Sequence, residues 1–82
     1  MITIRYRAAL AELTKTPNES ISASKIKDVL KHIKKQFGVK PEKLARTMLI
    51  AVNGQSILML KHFNTVLKDG DEVSFLPICG GG

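Results

Sequence analysis

The stretch Leu67-Lys68-Asp69-Gly70-Asp71-Glu72-Val73-Ser74-Phe75-Leu76-Pro77 decides how this chain of 82 residues folds. Asp69-Gly70 is tight-turn chemistry, an Asx side chain followed by the residue that adopts positive φ without strain. Glu72 to Pro77 then reads as a strand, with Val73 and Phe75 on one face and Ser74 and Leu76 on the other. After Pro77 come Ile78-Cys79-Gly80-Gly81-Gly82. The element is thus a half-buried strand followed by a tail of glycines, which offers free backbone torsions and no side chains.

Working outward, Met48 to Val52 is apolar at every position, as expected of a strand buried on both faces. Asn53-Gly54 predicts a tight hairpin, with Gln55 to Leu58 as the returning strand and Lys61 to Leu67 as an irregular connection. At the other end, Ile2, Ile4 and Tyr6 alternate with Thr3, Arg5 and Arg7, which predicts a half-buried strand. Ala8 to Lys15 has the composition of about two helical turns, closed by Thr16-Pro17-Asn18, and Glu19 to Ser22 reads as a second short strand around Ile21.

Ser24 to Phe37 is the strongest helix. Ile26, Val29, Leu30, Ile33 and Phe37 form one apolar stripe. Ser22 or Ser24 can cap it, Asp28 suits its first turns, Lys34 and Lys35 suit its last, and Gly38 stops it. Pro41 to Thr47 is expected to be a turn or a helical piece. Two hairpin-like arms flanking one long helix close most simply as an α+β domain, a mixed sheet of four to five strands wrapped on that helix. This is the β-grasp, ubiquitin-like arrangement. The expected division is a domain over residues 1–77 and a flexible tail over 78–82.

Composition narrows the function. Apolar residues make up 44%, charged residues 24% and aromatic residues 5%, with no Trp, so the core is aliphatic and the domain small. One cysteine, Cys79, excludes an internal disulfide and a multi-thiolate zinc site. The alternating, charged start is unlike a signal peptide, and no apolar run is long enough to span a bilayer; a cytoplasmic protein with no membrane partner is expected. The formal net charge of +6 is local, because the segment from Lys25 to Arg46 holds eight basic residues and two acids while the rest balances.

Enzyme templates are missing: there is no G-x-S-x-G, Walker, H-E-x-x-H or C-x-x-C sequence. His32, on the polar side of the long helix, and His62, in a loop, read as solvated side chains. No metal or resident cofactor is expected, and intrinsic catalysis is not.

Taken together, the L-x-D-G-D-E-V-x-F stretch and the glycine ending resemble the MoaD/ThiS family of ubiquitin-like sulfur carriers. Further matches are Tyr6-Arg7-Ala8-Ala9-Leu10-Ala11-Glu12-Leu13, the helix spacing of Ile26, Val29, Leu30 and Ile33, and Ala51-Val52-Asn53-Gly54. Within the family the pattern is most similar to the small subunit of molybdopterin synthase. The resemblance implies that Gly82 is adenylated by a ubiquitin-activating-type (MoeB-like) enzyme using ATP, then converted by a sulfur donor to a thiocarboxylate. That sulfur would pass to a pterin precursor inside a heterotetramer with a MoaE-like large subunit.

It further implies that Gly80 and Gly81 let the tail thread a narrow channel, and that Leu76, Pro77, Ile78 and Cys79 meet the partners. Ile78 departs from the family's second proline, and Cys79 stands where a small apolar residue is usual. Three alternatives stay open: a thiazole-forming carrier of thiamine synthesis, a basic β-grasp module whose helix binds RNA or an acidic protein, and a ubiquitin-like modifier whose tail is joined to lysines instead of carrying sulfur. Against nucleic acid, the basic segment contains one aromatic, Phe37, which belongs to the core stripe, and so offers no platform for stacking bases.

Overall fold

The alternation at the start of the chain forms the first strand, β1 (Ile2–Tyr6), whose burial alternates with every residue. The computed structural model describes residues 1–78. After β1 come α1 (Ala8–Thr14), β2 (Asn18–Ile21), α2 (Ile26–Phe37), α3 (Val39–Thr47), β3 (Leu49–Val52), β4 (Gln55–Ser56) and β5 (Glu72–Leu76), with 3₁₀ turns at Ile57–Met59 and His62–Asn64. The sheet order is β2-β1-β5-β3-β4. β1 and β5 pair in parallel, and every other pair is antiparallel. This is the expected α+β, β-grasp fold with a mixed five-stranded sheet.

Ile4 and Tyr6 of β1, Val73 and Phe75 of β5, and Ile50 of β3 face Ile26, Val29, Leu30 and Ile33 of α2 in one core. The Tyr6 ring stacks with Phe75 at 6.2 Å and meets Phe37 edge-on at 5.9 Å. Three of the four aromatics thus gather in an otherwise aliphatic interior.

Three local expectations are corrected. Neither serine caps α2; the Asp28 carboxylate instead accepts from the amides of Ser24 at 3.2 Å and Lys25 at 3.1 Å, covering orphan donors of the first turn. The helical piece expected over Pro41 to Thr47 is present as a nine-residue helix, α3, which tolerates Pro41 because a proline in the first turn removes an N–H that has no helical partner. Gly38, at φ 102°, joins the two helices.

The apolar run before Asn53 is not buried on both faces: Leu49 is 37% exposed, since helices cover only one side of the sheet. The returning strand is two residues long and gives way to a 3₁₀ turn, and the irregular connection after it is anchored. Leu67 and Ile26 amides donate to the Ser24 and Thr65 carbonyls at 2.8 and 3.1 Å, tying it to the start of α2.

Candidate functional site

β5 is a central strand, bonded to β1 on one side and β3 on the other, so the point at which it ends is fixed from both flanks. Its far end is clamped by the hairpin. Asn53 and Gly54 both have positive φ, 51° and 85°, the backbone of a type I′ turn. The Asn53 side chain reaches across to the start of β5: its amide donates to Asp71 Oδ1 and its oxygen accepts from the Glu72 amide, both at 2.9 Å. Asp71 also accepts from the Lys68 amide at 2.8 Å. The Lys68 bond and then the Asn53 amide hold its carboxyl below the ordinary value. Two of the sequence stretches that carry the resemblance are therefore one hydrogen-bonded unit.

At the exit end, Leu76 of β5 lies opposite Leu49 of β3. Period-2 alternation from the buried Phe75–Ile50 pair puts both leucines on the outer face. Leu76 is half-buried, because Leu49 lies beside it. The exposed apolar groups are further on. Ile78 is 63% exposed and Leu58 69%, and both line an open cavity of about 200 Å³ with Met48, Leu49, Phe63 and Arg46. The Arg46 guanidinium sits 5.4 Å over the Phe63 ring, and the His62 ring meets Phe63 edge-on at 4.2 Å. Clustered exposed apolar side chains with a polar rim are the usual mark of an interaction surface.

Of the residues singled out in the sequence, Leu76, Pro77 and Ile78 stand together at this exit, with Pro77 exposed. Cys79, Gly80, Gly81 and Gly82 lie outside the described residues. The sequence reading missed Leu49, Leu58 and Phe63. A signal for Leu58 was present, since Ile57 to Leu60 is apolar throughout and leaves a two-residue return strand nowhere to bury it.

Nor is His32 a solvated side chain. Its Nε2 stands 3.0 Å from Glu19 Oε2, and both side chains are largely covered. Glu19 accepts a 2.7 Å bond from the Tyr6 hydroxyl. Burial, then that bond, pushes the Tyr6 hydroxyl well above its ordinary range. Among the described residues no group of three His, Cys, Asp or Glu side chains is placed to hold a metal ion, and no helix is long and apolar enough to cross a membrane.

The ThiS family model matches residues 4–82. The chain belongs to the ThiS family. It is a small ubiquitin-like sulfur carrier of the MoaD/ThiS kind, non-catalytic in itself. Similar solved structures include small archaeal modifier protein 1 from Methanosarcina acetivorans, at 26% identity and a TM-score of 0.87 over 99% of this chain and 95% of that one. A chain in the complex of subunits 1 and 2 of the molybdopterin-converting factor from Helicobacter pylori matches at 28% identity and 0.70 over 99% and 97%. The Amycolatopsis orientalis BexX/CysO complex matches at 16% and 0.84 over the full length of both chains, a likeness of fold. No curated protein sequence matches. The clamped β5 and the apolar ground at its exit are the parts of this ThiS-family chain that set where its tail begins.

Proposed function

We propose that this carrier delivers sulfur for molybdopterin synthesis, as the small subunit of a molybdopterin synthase-type heterotetramer. The observation that carries the reading is the apolar ground of Leu49, Leu58 and Ile78 at the root of a glycine tail. A partner docked on it would receive the tail in its own active site. The 28% identity to a chain of the Helicobacter pylori converting-factor complex supports the pathway.

In this reading the Gly82 carboxylate attacks the α-phosphate of ATP in the ubiquitin-activating-type partner and releases pyrophosphate. The acyl adenylate converts a poor electrophile into one with a good leaving group. Attack by a sulfide-equivalent donor forms the C–S bond and breaks the C–O bond to AMP. Gly80 and Gly81 pass the channel because they carry no Cβ. Leu76, Pro77, Ile78 and Cys79 make the partner contact, Cys79 as a small hydrophobe.

The test is intact mass after incubation with ATP, a sulfur donor and an adenylating enzyme competent on a known carrier. The expected product has one oxygen replaced by sulfur at Gly82, only with ATP, and Gly81→Val blocks it; loading of Gly81→Val at the wild-type rate would refute the channel argument. Offering the loaded carrier to a pterin precursor and to a thiazole-forming system separates the two sulfur pathways. A second reading, a protein modifier, is favoured by the 26% identity to small archaeal modifier protein 1, and lysine-linked adducts in place of sulfur transfer would establish it.

A further inference from the structure

Apart from Arg46, which lines the cavity at the exit of β5, the charge excess is carried by lysines. Seven lysines (25, 27, 31, 34, 35, 40 and 43) come from α2, α3 and the residue that precedes α2. None of them makes an ion pair among the described residues. The two acids of the same segment are already engaged. Asp28 is turned back onto the amides of Ser24 and Lys25 just before α2, and Glu42 is buried and paired with Arg46. On α2 the four exposed lysines Lys27, Lys31, Lys34 and Lys35 fall within an arc of about 100° opposite the core stripe. Lys27, Lys31 and Lys35 recur every four residues, a rise of about 6 Å per step. Exposed Lys40 and Lys43 continue the charge beyond Gly38.

What such a face can hold follows from what it lacks. A protein interface needs an apolar, desolvated centre, and Val39 is the one large apolar residue of α2 and α3 that is exposed. Single-stranded nucleic acid needs stacking platforms, and Phe37 is packed against Tyr6 and His32. A duplex backbone needs neither, only cations that displace its condensed counterions. We propose that the lysine face of α2 and α3 binds the phosphodiester backbone of duplex nucleic acid, independently of sequence and of the sulfur-carrying tail. The absence of a stacking platform, which counts against single strands, leaves this mode untouched.

The test uses the full 82-residue chain and fluorescein-labelled 20-base-pair RNA and DNA duplexes, read by anisotropy. Both duplexes are expected to bind within a few-fold of each other. About four phosphate contacts predict a slope near −3.6 in log K against log salt, and so a roughly 150-fold loss between 50 and 200 mM. Lys31→Glu with Lys35→Glu is expected to weaken binding at least tenfold and to flatten the slope by about 2. Lys61→Glu with Lys68→Glu, the same change in net charge elsewhere, should change affinity less than twofold. Lys31→Gln with Lys35→Gln repeats the test with a milder change should the first pair perturb the helix, which circular dichroism reports.

Deletion of Gly81 and Gly82 leaves binding unchanged, so failure here and failure of the sulfur reading are distinguishable. Equal losses in the two charge-reversal pairs would reduce the effect to net charge and overturn the proposal. So would tighter binding to a 20-residue polyglutamate peptide, which would make the partner an acidic protein, or to phosphatidylserine vesicles. Absence of duplex binding at 50 mM salt would overturn it outright.

Discussion

Replacing Asn53 tests whether the clamp between the hairpin and β5 holds the carrier together. Asn53→Ala removes two hydrogen bonds of 2.9 Å, to Asp71 and from the Glu72 amide. Both are exposed, so each is taken at the low end, about 0.5–1 kcal/mol. The backbone adds a second term. Asn53 sits at φ 51°, where asparagine is tolerated and a plain β-carbon costs roughly 1 kcal/mol more. The sum is about 2–3 kcal/mol, a large part of the roughly 5–15 kcal/mol that holds a domain of this size. For such a domain this lowers Tm by roughly 10–20 °C.

Asn53→Gly separates the two terms, because it keeps the turn conformation and loses only the hydrogen bonds; it is expected to be about 1 kcal/mol less destabilised than Asn53→Ala. Urea and thermal unfolding followed by circular dichroism measure both. A loss under 0.5 kcal/mol in Asn53→Ala, or an alanine variant no worse than the glycine one, would refute the reasoning.

Other perturbations reach the remaining parts of the molecule. Tyr6→Phe removes the 2.7 Å bond to Glu19 and is expected to cost about 1.5 kcal/mol, since the acceptor is a carboxylate only partly open to water; a chemical-denaturation midpoint equal to wild type would refute it. The Asp71 carboxyl is held below its ordinary value of 3.8, so its contribution is fully present above about pH 4 and is lost as pH falls through the lower folded value. Asp71→Asn is expected to flatten the acid limb of the stability profile below pH 4, and an unchanged limb would show that other carboxyls set it. Leu58→Asp places a charge on the 69% exposed cavity lining. It should leave Tm within about 2 °C while lowering sulfur loading or transfer at least tenfold, and wild-type rates would remove the cavity from the partner surface.

Most of the fold was legible because its signals are local. Alternation in Ile2–Tyr6 and Glu72–Leu76 declares which side chains are buried, Asn53-Gly54 declares its turn, and the stripe on α2 declares its inner face. Glu19 was partly legible: period 2 from Ile21 puts it on the core face, and its partner Ile4 in β1 confirms the side. That it should meet the Tyr6 hydroxyl and His32 was not, because those three residues come together only when α2 is laid across the sheet. The same holds for the cap of α2, where a carboxylate in the first turn and a preceding serine compete for the same amides and only the backbone path settles which one reaches them.

The sequence by itself determined the β-grasp topology, the family pattern from Asp69 to Phe75 and the placing of nearly all excess charge in one segment. Tertiary structure alone decided that Asn53 bonds Asp71 and the Glu72 amide, that Leu49 is uncovered, and that Leu58 and Ile78 share one cavity. Periodicity and turn chemistry act between residues a few positions apart and are written in the order of the chain. The meeting of residues such as Leu49 and Ile78 around one cavity depends on sheet register and on which face the helices leave bare, and those are fixed only when the whole core closes at once.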